Sequence, residues 1–186
     1  MELIELEIPE GEQLDFQIAF VDAPAIESDW IAFDKTKQQF QIESKDKRIV
    51  SGYAMIADLP ILRRDESKGE YHVVFKKESI QKIALNFMRN GLMKNTNLDH
   101  STGSFQNGVY VFESFLIDSD RGMKAPDKFA QEANGSWFIS MKVENDEVWQ
   151  SVLNGTFKGF SVEGLFEESF SNQLETVFNK YYKNNK

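Results

Sequence analysis

The chain has 186 residues, 21 basic against 30 acidic side chains, no cysteine, and a 41% hydrophobic composition that includes 16 phenylalanines. The missing cysteine excludes disulfides, zinc–thiolate sites and thiol nucleophiles. A net charge of -9 repels phosphate backbones and argues against nucleic-acid binding, whereas the phenylalanines supply apolar area for a packed core and argue against disorder.

The first ten residues hold four glutamates and no basic residue, so no signal peptide is predicted. No apolar run approaches the ~18 residues of a membrane span. A soluble protein of a reducing cytoplasm, with no membrane partner, is the expectation. Length suits one domain, taken as residues 1–166, with the strands inside 1–45 either integral to it or an extension.

In residues 13–20, Leu14, Phe16, Ile18 and Phe20 alternate with Asp15, Gln17 and Ala19, the period-2 pattern of a half-buried strand. The segment Asp22-Ala23-Pro24-Ala25 ends it. Short strands are predicted over 30–33, 40–43 and 49–56, a charged loop over 63–69, and a strand over 71–75. The period then changes: Ile80, Ile83, Ala84, Phe87 and Met88 share a helical face, and Gly91 stands where a C-cap glycine belongs, so a helix is predicted over 77–90. Strands follow over 95–101, 109–117 and 137–143. A short helix over 146–153 carries Val148, Trp149 and Val152 on one side, a strand over 157–166 comes next, and the tail 167–186 has Leu174, Val177, Phe178 and Tyr181 at helical spacing. Many short strands with a few helices suggest an α+β fold, mainly an antiparallel barrel, closed or nearly so, with helices outside.

Without cysteine, hydrolysis needs a serine, a carboxylate pair or a metal. The two histidines, His72 and His100, form no H-E-x-x-H pattern. The run Asp118-Ser119-Asp120-Arg121-Gly122 misplaces the glycine of a calcium loop and has Phe129 where the closing glutamate belongs, so it reads as a solvated turn. No metal or other cofactor is expected.

Gly159-Phe160-Ser161-Val162-Glu163-Gly164 sets one serine between two large apolar neighbours. It is not a nucleophile elbow, because Glu163 occupies the place of the second glycine; with no α/β-hydrolase order of elements either, a lipase or esterase is excluded. On a strand, Gly159 and Ser161 face away from Phe160 and Val162. Most strand serines are structural, and the spacing alone does not single this one out. His100, closing Asn95-Thr96-Asn97-Leu98-Asp99-His100, reads equally as a partly buried structural histidine; Asp99 points to the other face of that strand. His72 reads as structural. Glu113 falls on one strand face with Val111, Phe115 and Ile117, where an ionised carboxylate needs a partner. A short connection over 101–107 would make its strand the antiparallel neighbour of the His100 strand. An edge-strand acid reaching solvent fits the same pattern.

VDAPAIESDWIAF, VSGYAMIADLPILRRD, GEYHVVFKKESIQKI, NLDHS, GVYVFESFLID and GSWFISMKVENDEVWQSVLNGTFKGFSVEG occur in order over residues 18–164, and together they resemble the XkdF-like serine proteases of tailed phages, a group of prohead proteases. The last segment is the most specific. The resemblance implies a fold like the herpesvirus assemblins, a β-barrel surrounded by helices. It implies Ser161 as nucleophile and His100 as base, on neighbouring strands, with scaffolding protein and major capsid protein precursors as substrates inside the prohead, self-cleavage, and a homo-oligomer. Herpesvirus relatives place a second histidine after the serine; none follows Ser161 here, so the third member is expected to be Glu113, with Glu163, Glu167 and Glu168 open. Arginines assist the oxyanion in assemblins, but nothing assigns Arg63 or Arg64 that role. The competing expectation is a catalytically inactive scaffold or head-interior protein of the same fold.

Overall fold

The computed structural model describes residues 3–8, 16–21, 30–31, 40–65, 69–98, 106–164 and 166–169. The tail helix expected beyond them lies outside the described residues, as do His100 and Asp99. Twelve strands run in chain order: β1 Leu3–Glu7, β2 Gln17–Val21, β3 Trp30–Ile31, β4 Gln41–Ser44, β5 Ile49–Met55, β6 Ile61–Asp65, β7 Gly69–Val74, β8 Thr96–Leu98, β9 Val109–Leu116, β10 Trp137–Val143, β11 Gly159–Glu163 and β12 Glu167–Ser169. Helix α1 spans Lys77–Arg89 and α2 spans Asp146–Leu153.

A mixed α+β molecule, mostly strand, results, but the expected closed barrel is not found among the described residues. The strands divide into three sheets, ordered β12-β1-β7-β6-β3, β4-β5-β10-β9 and β11-β2-β8. Two pairings, β1 with β7 and β2 with β8, are parallel. Strand β2 is the middle strand of the third sheet, so an N-terminal segment is built into the sheet that carries Ser161. The charged loop expected over 63–69 is instead largely strand: β6 pairs antiparallel with β7 from Ile61↔Val73 to Asp65↔Gly69. Local charge misled there because pairing on both edges of β6, to β7 and β3, overrides composition.

Both helices form where the period of 3.6 places them. On α1 the side chains of Ile80, Ile83, Ala84 and Phe87 are buried, while Met88 is exposed. Phe87 meets Trp137 edge-on at 5.3 Å, which seats the helix on β10. Gly91 follows with φ +67, the left-handed conformation that stops a helix at low cost for glycine. At α2 the Asn145 side chain accepts from the Val148 N–H at 3.0 Å, and Asp146 and Glu147 face the positive end of the helix dipole.

The central strand β10 is buried on both faces. Trp137, Ile139, Met141 and Val143 enter the main core, and Phe138 enters a second cluster with Tyr53, Ile56, Leu59, Ile117, Ala125 and Phe129. The main core continues beneath the third sheet, where Phe160 packs on Phe20 at 5.4 Å and on Phe40 at 5.3 Å. Those contacts fix which face of β11 is turned inward.

Candidate active site

With Phe160 fully buried and Val162 packed against the core, alternation turns Ser161 and Glu163 to the other face of β11. Ser161 is half-buried, and among the described residues no hydrogen bond engages its hydroxyl. Other serines have structural work. Ser51 and Ser140 pair hydroxyl to hydroxyl at 2.9 Å, Ser136 accepts from the Ala57 N–H at 3.0 Å, and Ser114 accepts from the Trp137 indole N–H at 2.8 Å. β11 is an edge strand of its sheet. Beside it lies a small cleft of about 50 Å³ lined by Ser161, Val162, Ala54, Met55, Ile56, Ile61 and Phe75. The Ser161 hydroxyl therefore stands at a sheet edge next to a small, mostly apolar cleft.

Across β11, β2 and β8 the register sets Ser161 opposite Ala19 and Ala19 opposite Asn97. In the adjacent position Glu163 stands opposite Gln17. Two strand spacings of about 4.8 Å separate the Ser161 and Asn97 backbones, and only the Ala19 methyl stands between them. Asn97 is 1% exposed. Its amide nitrogen donates to Gln17 Oε1 at 2.9 Å and to Glu163 Oε2 at 2.5 Å. Its Oδ1 is buried with no donor among the described residues. A carboxylate only accepts, so the nitrogen must be the atom facing Glu163. That orientation leaves Oδ1 unsatisfied, which typically costs about 1–3 kcal/mol.

The expected residues separate on this frame. Strand β8 leads toward His100, which lies outside the described residues; β8 is not the neighbour of β11, because β2 runs between them. The expected antiparallel pairing of the Glu113 strand with that of His100 is also replaced. Named strand β8 pairs with β2, and β9 pairs with β10. The register slips between Ser140↔Glu113 and Met141↔Val111, leaving Phe112 as the extra residue of a bulge. Val111 therefore faces the main core, whereas Glu113 stands across from Ser140 with its side chain exposed, on a different sheet from Ser161. Of the alternatives, Glu163 shares a strand face with Ser161; the side chains of Glu167 and Glu168 lie outside the described residues.

His72 is fully buried on β7 between Leu3 and Leu62. Burial lowers its pKa, so it is held neutral inside the fold. Tyr53 donates its hydroxyl to the Ala130 carbonyl at 2.7 Å, and burial raises its pKa, which keeps that donor in place. Among the described residues no cluster of histidine, aspartate and glutamate is arranged to hold a metal ion, and no helix is long and apolar enough to cross a membrane. Sequence reasoning overlooked Asn97 and Gln17. The available signal was an amide in the middle of a predicted strand, and what it touches depends on two other strands.

A family model described as "Putative phage serine protease XkdF" matches residues 37–169, well over half of the chain, including Ser161 and Glu163. No curated protein and no solved structure matches.

Proposed function

Since the chain belongs to the XkdF family of phage serine proteases, we propose that it is a serine endopeptidase in which Ser161 attacks the peptide carbonyl and His100 is its base. The observation that carries this reading is the position of Ser161: partly exposed on an edge strand, without a structural hydrogen bond among the described residues, beside an apolar cleft, and inside the segment that matches the family.

In the proposed reaction, the imidazole takes the Ser161 hydroxyl proton as the oxygen bonds to the carbonyl carbon. The tetrahedral oxyanion is held by backbone N–H donors, each worth about 2.7–4 kcal/mol in comparable sites. Collapse expels the amine, which receives the proton from the imidazolium, and leaves an acyl-enzyme that water hydrolyses by the same steps. The cleft would take an apolar side chain of the substrate. We assign phage scaffolding protein and capsid-protein precursors as substrates, with the chain acting as an oligomer inside the prohead in the host cytoplasm and finally cleaving itself. The resemblance in sequence to prohead proteases supports that assignment, and the acidic charge suits an interior that must stay soluble when crowded.

Particles produced with the native chain and with Ser161→Ala should be compared by mass spectrometry of the precursor termini. Processing should fall roughly 10⁴-fold or more in the variant, with the melting temperature unchanged. Equal processing by both removes Ser161 from the mechanism. Absence of processing by either leaves a non-enzymatic head protein.

A further inference from the structure

We propose that the cleft beside Ser161 is the specificity pocket of that site, that it takes a small aliphatic side chain of alanine to valine size, and that the Phe75 ring sets the limit. This rests on the serine-protease reading above. In an attacked peptide, the residue that supplies the carbonyl carries its Cβ two bonds from the reacting carbon, whereas the leaving residue carries its own three bonds away. The first of these side chains lies closest to the nucleophile, and the cleft that Ser161 itself lines is the space beside it. Its volume is about 50 Å³. A protein cavity of about 150 Å³ holds benzene, so roughly a third of that space takes about two or three carbon atoms. Alanine and valine side chains fall in that range, and larger ones cannot bury all of their carbons there. Around the cleft Ala54, Met55, Ile56, Ile61, Phe75 and Val162 are all apolar. None offers a partner to a lysine, arginine, aspartate or glutamate side chain, whose charge would lose its water on entry.

The walls are held by bonds and packing outside the cleft, so the size limit is a property of the fold. Ala54 and Met55 end β5, and both are buried. The Asp58 N–H donates to the Phe75 carbonyl at 3.0 Å, which ties the turn after Ile56 to the residue that follows β7. Ile61 begins β6 and pairs with Val73 on β7. The Phe75 ring meets Phe166 edge-on at 4.9 Å, and Phe166 stacks on Phe16 at 6.0 Å. Phe166 lies just beyond β11, the strand that carries Ser161. One row of three rings thus locks the wall of the cleft to the chain that supplies the nucleophile. Met55 is unbranched and can repack. Phe75, the bulkiest wall side chain, is fixed through both its carbonyl and its ring, and it cannot withdraw from a larger substrate group without disturbing that row.

The test is the rate at which N-acyl α-aminoalkyl diphenyl phosphonates label the purified full chain, read by mass spectrometry, with probes bearing the side chains of alanine, valine, phenylalanine and lysine. In the labelling step the Ser161 oxygen bonds to phosphorus and one phenol leaves with the hydroxyl proton. The alanine and valine probes should label the native chain about tenfold or more faster than the other two. Phe75→Ala should bring the phenylalanine probe level with the valine probe or ahead of it, and should leave the lysine probe slow. Ala54→Val, which narrows the cleft instead, should slow the valine probe about tenfold and the alanine probe less. If Phe75→Ala does not fold, Phe75→Leu and Ala54→Val decide, the first with a smaller gain for the phenylalanine probe. Equal rates for all probes on the native chain, or a preference for phenylalanine or lysine, overturns the inference while Ser161 stays the nucleophile. So does an order of rates that no variant alters. Absence of labelling by every probe, or a Ser161→Ala chain labelled like the native one, overturns the serine reading itself, and this inference with it.

Discussion

Two sheets of this molecule bury polar groups in opposite ways. In the four-stranded sheet, Ser51 and Ser140 complete each other across β5 and β10, and the Trp137 indole finds Ser114 on β9. Each donor has an acceptor, and the side chains around them belong to close-packed apolar clusters. In the three-stranded sheet, Asn97, Gln17 and Glu163 make a network that ends on an oxygen with no donor among the described residues. The first arrangement stabilises the fold. The second retains an energetic defect beside a serine that has no structural hydrogen bond there. The two sheets differ in how their buried polar side chains are satisfied, whereas serines occur in both.

Substitutions can break this contrast. The largest effect on stability should come from Trp137→Ala, which empties a fully buried position shared by β10 and α1 and should cost about 3–5 kcal/mol in a urea titration. A loss below ~1 kcal/mol would show that the four-stranded sheet is not the stabilising half. Gly164→Ala should come next. A Cβ there would sit 2.4 Å from the buried Phe16 ring, so the ring or the end of β11 must shift, at about 1–3 kcal/mol. Because Gly164 follows Glu163 directly, the labelling rate at Ser161 should fall as well. Stability lost without any change in labelling would mean that the strand end is free to adjust. The smallest effect belongs to Glu113→Gln, an exposed position on the far sheet: under about 0.5 kcal/mol and no change in labelling rate or pH profile. A labelling defect in that variant would return Glu113 to the site and reverse the contrast.

Segments whose fate is decided by neighbours in sequence were readable in advance. Helix α2 and strand β10 occupy the residues predicted for them, 146–153 and 137–143. The same holds for α1, which ends one residue before the expected boundary, with Gly91 left-handed beyond it. Glu113 shows where such reasoning stops. Strict alternation placed it beside Val111, but one bulged residue, Phe112, puts the two on opposite faces. A bulge is set by the partner strand, so no pattern within 109–117 announces it. The charged residues of β6 were misread for a related reason, since a strand paired on both edges tolerates a composition that looks like a loop.

The sequence alone determined the inventory: no thiol chemistry, two histidines, a GFSVEG strand with its apolar residues turned one way and Ser161 the other, and segments that identify a protease family. Tertiary structure alone decided the company those residues keep. Strand β2 inserts between β8 and β11, parallel to one and antiparallel to the other, and brings Asn97 and Gln17 onto Glu163 from 66 residues or more away in the chain. The physical reason is that hydrophobic periodicity fixes which face of a strand is buried, whereas strand order and register depend on pairings between distant segments. Those pairings are chosen by the packing of the whole core.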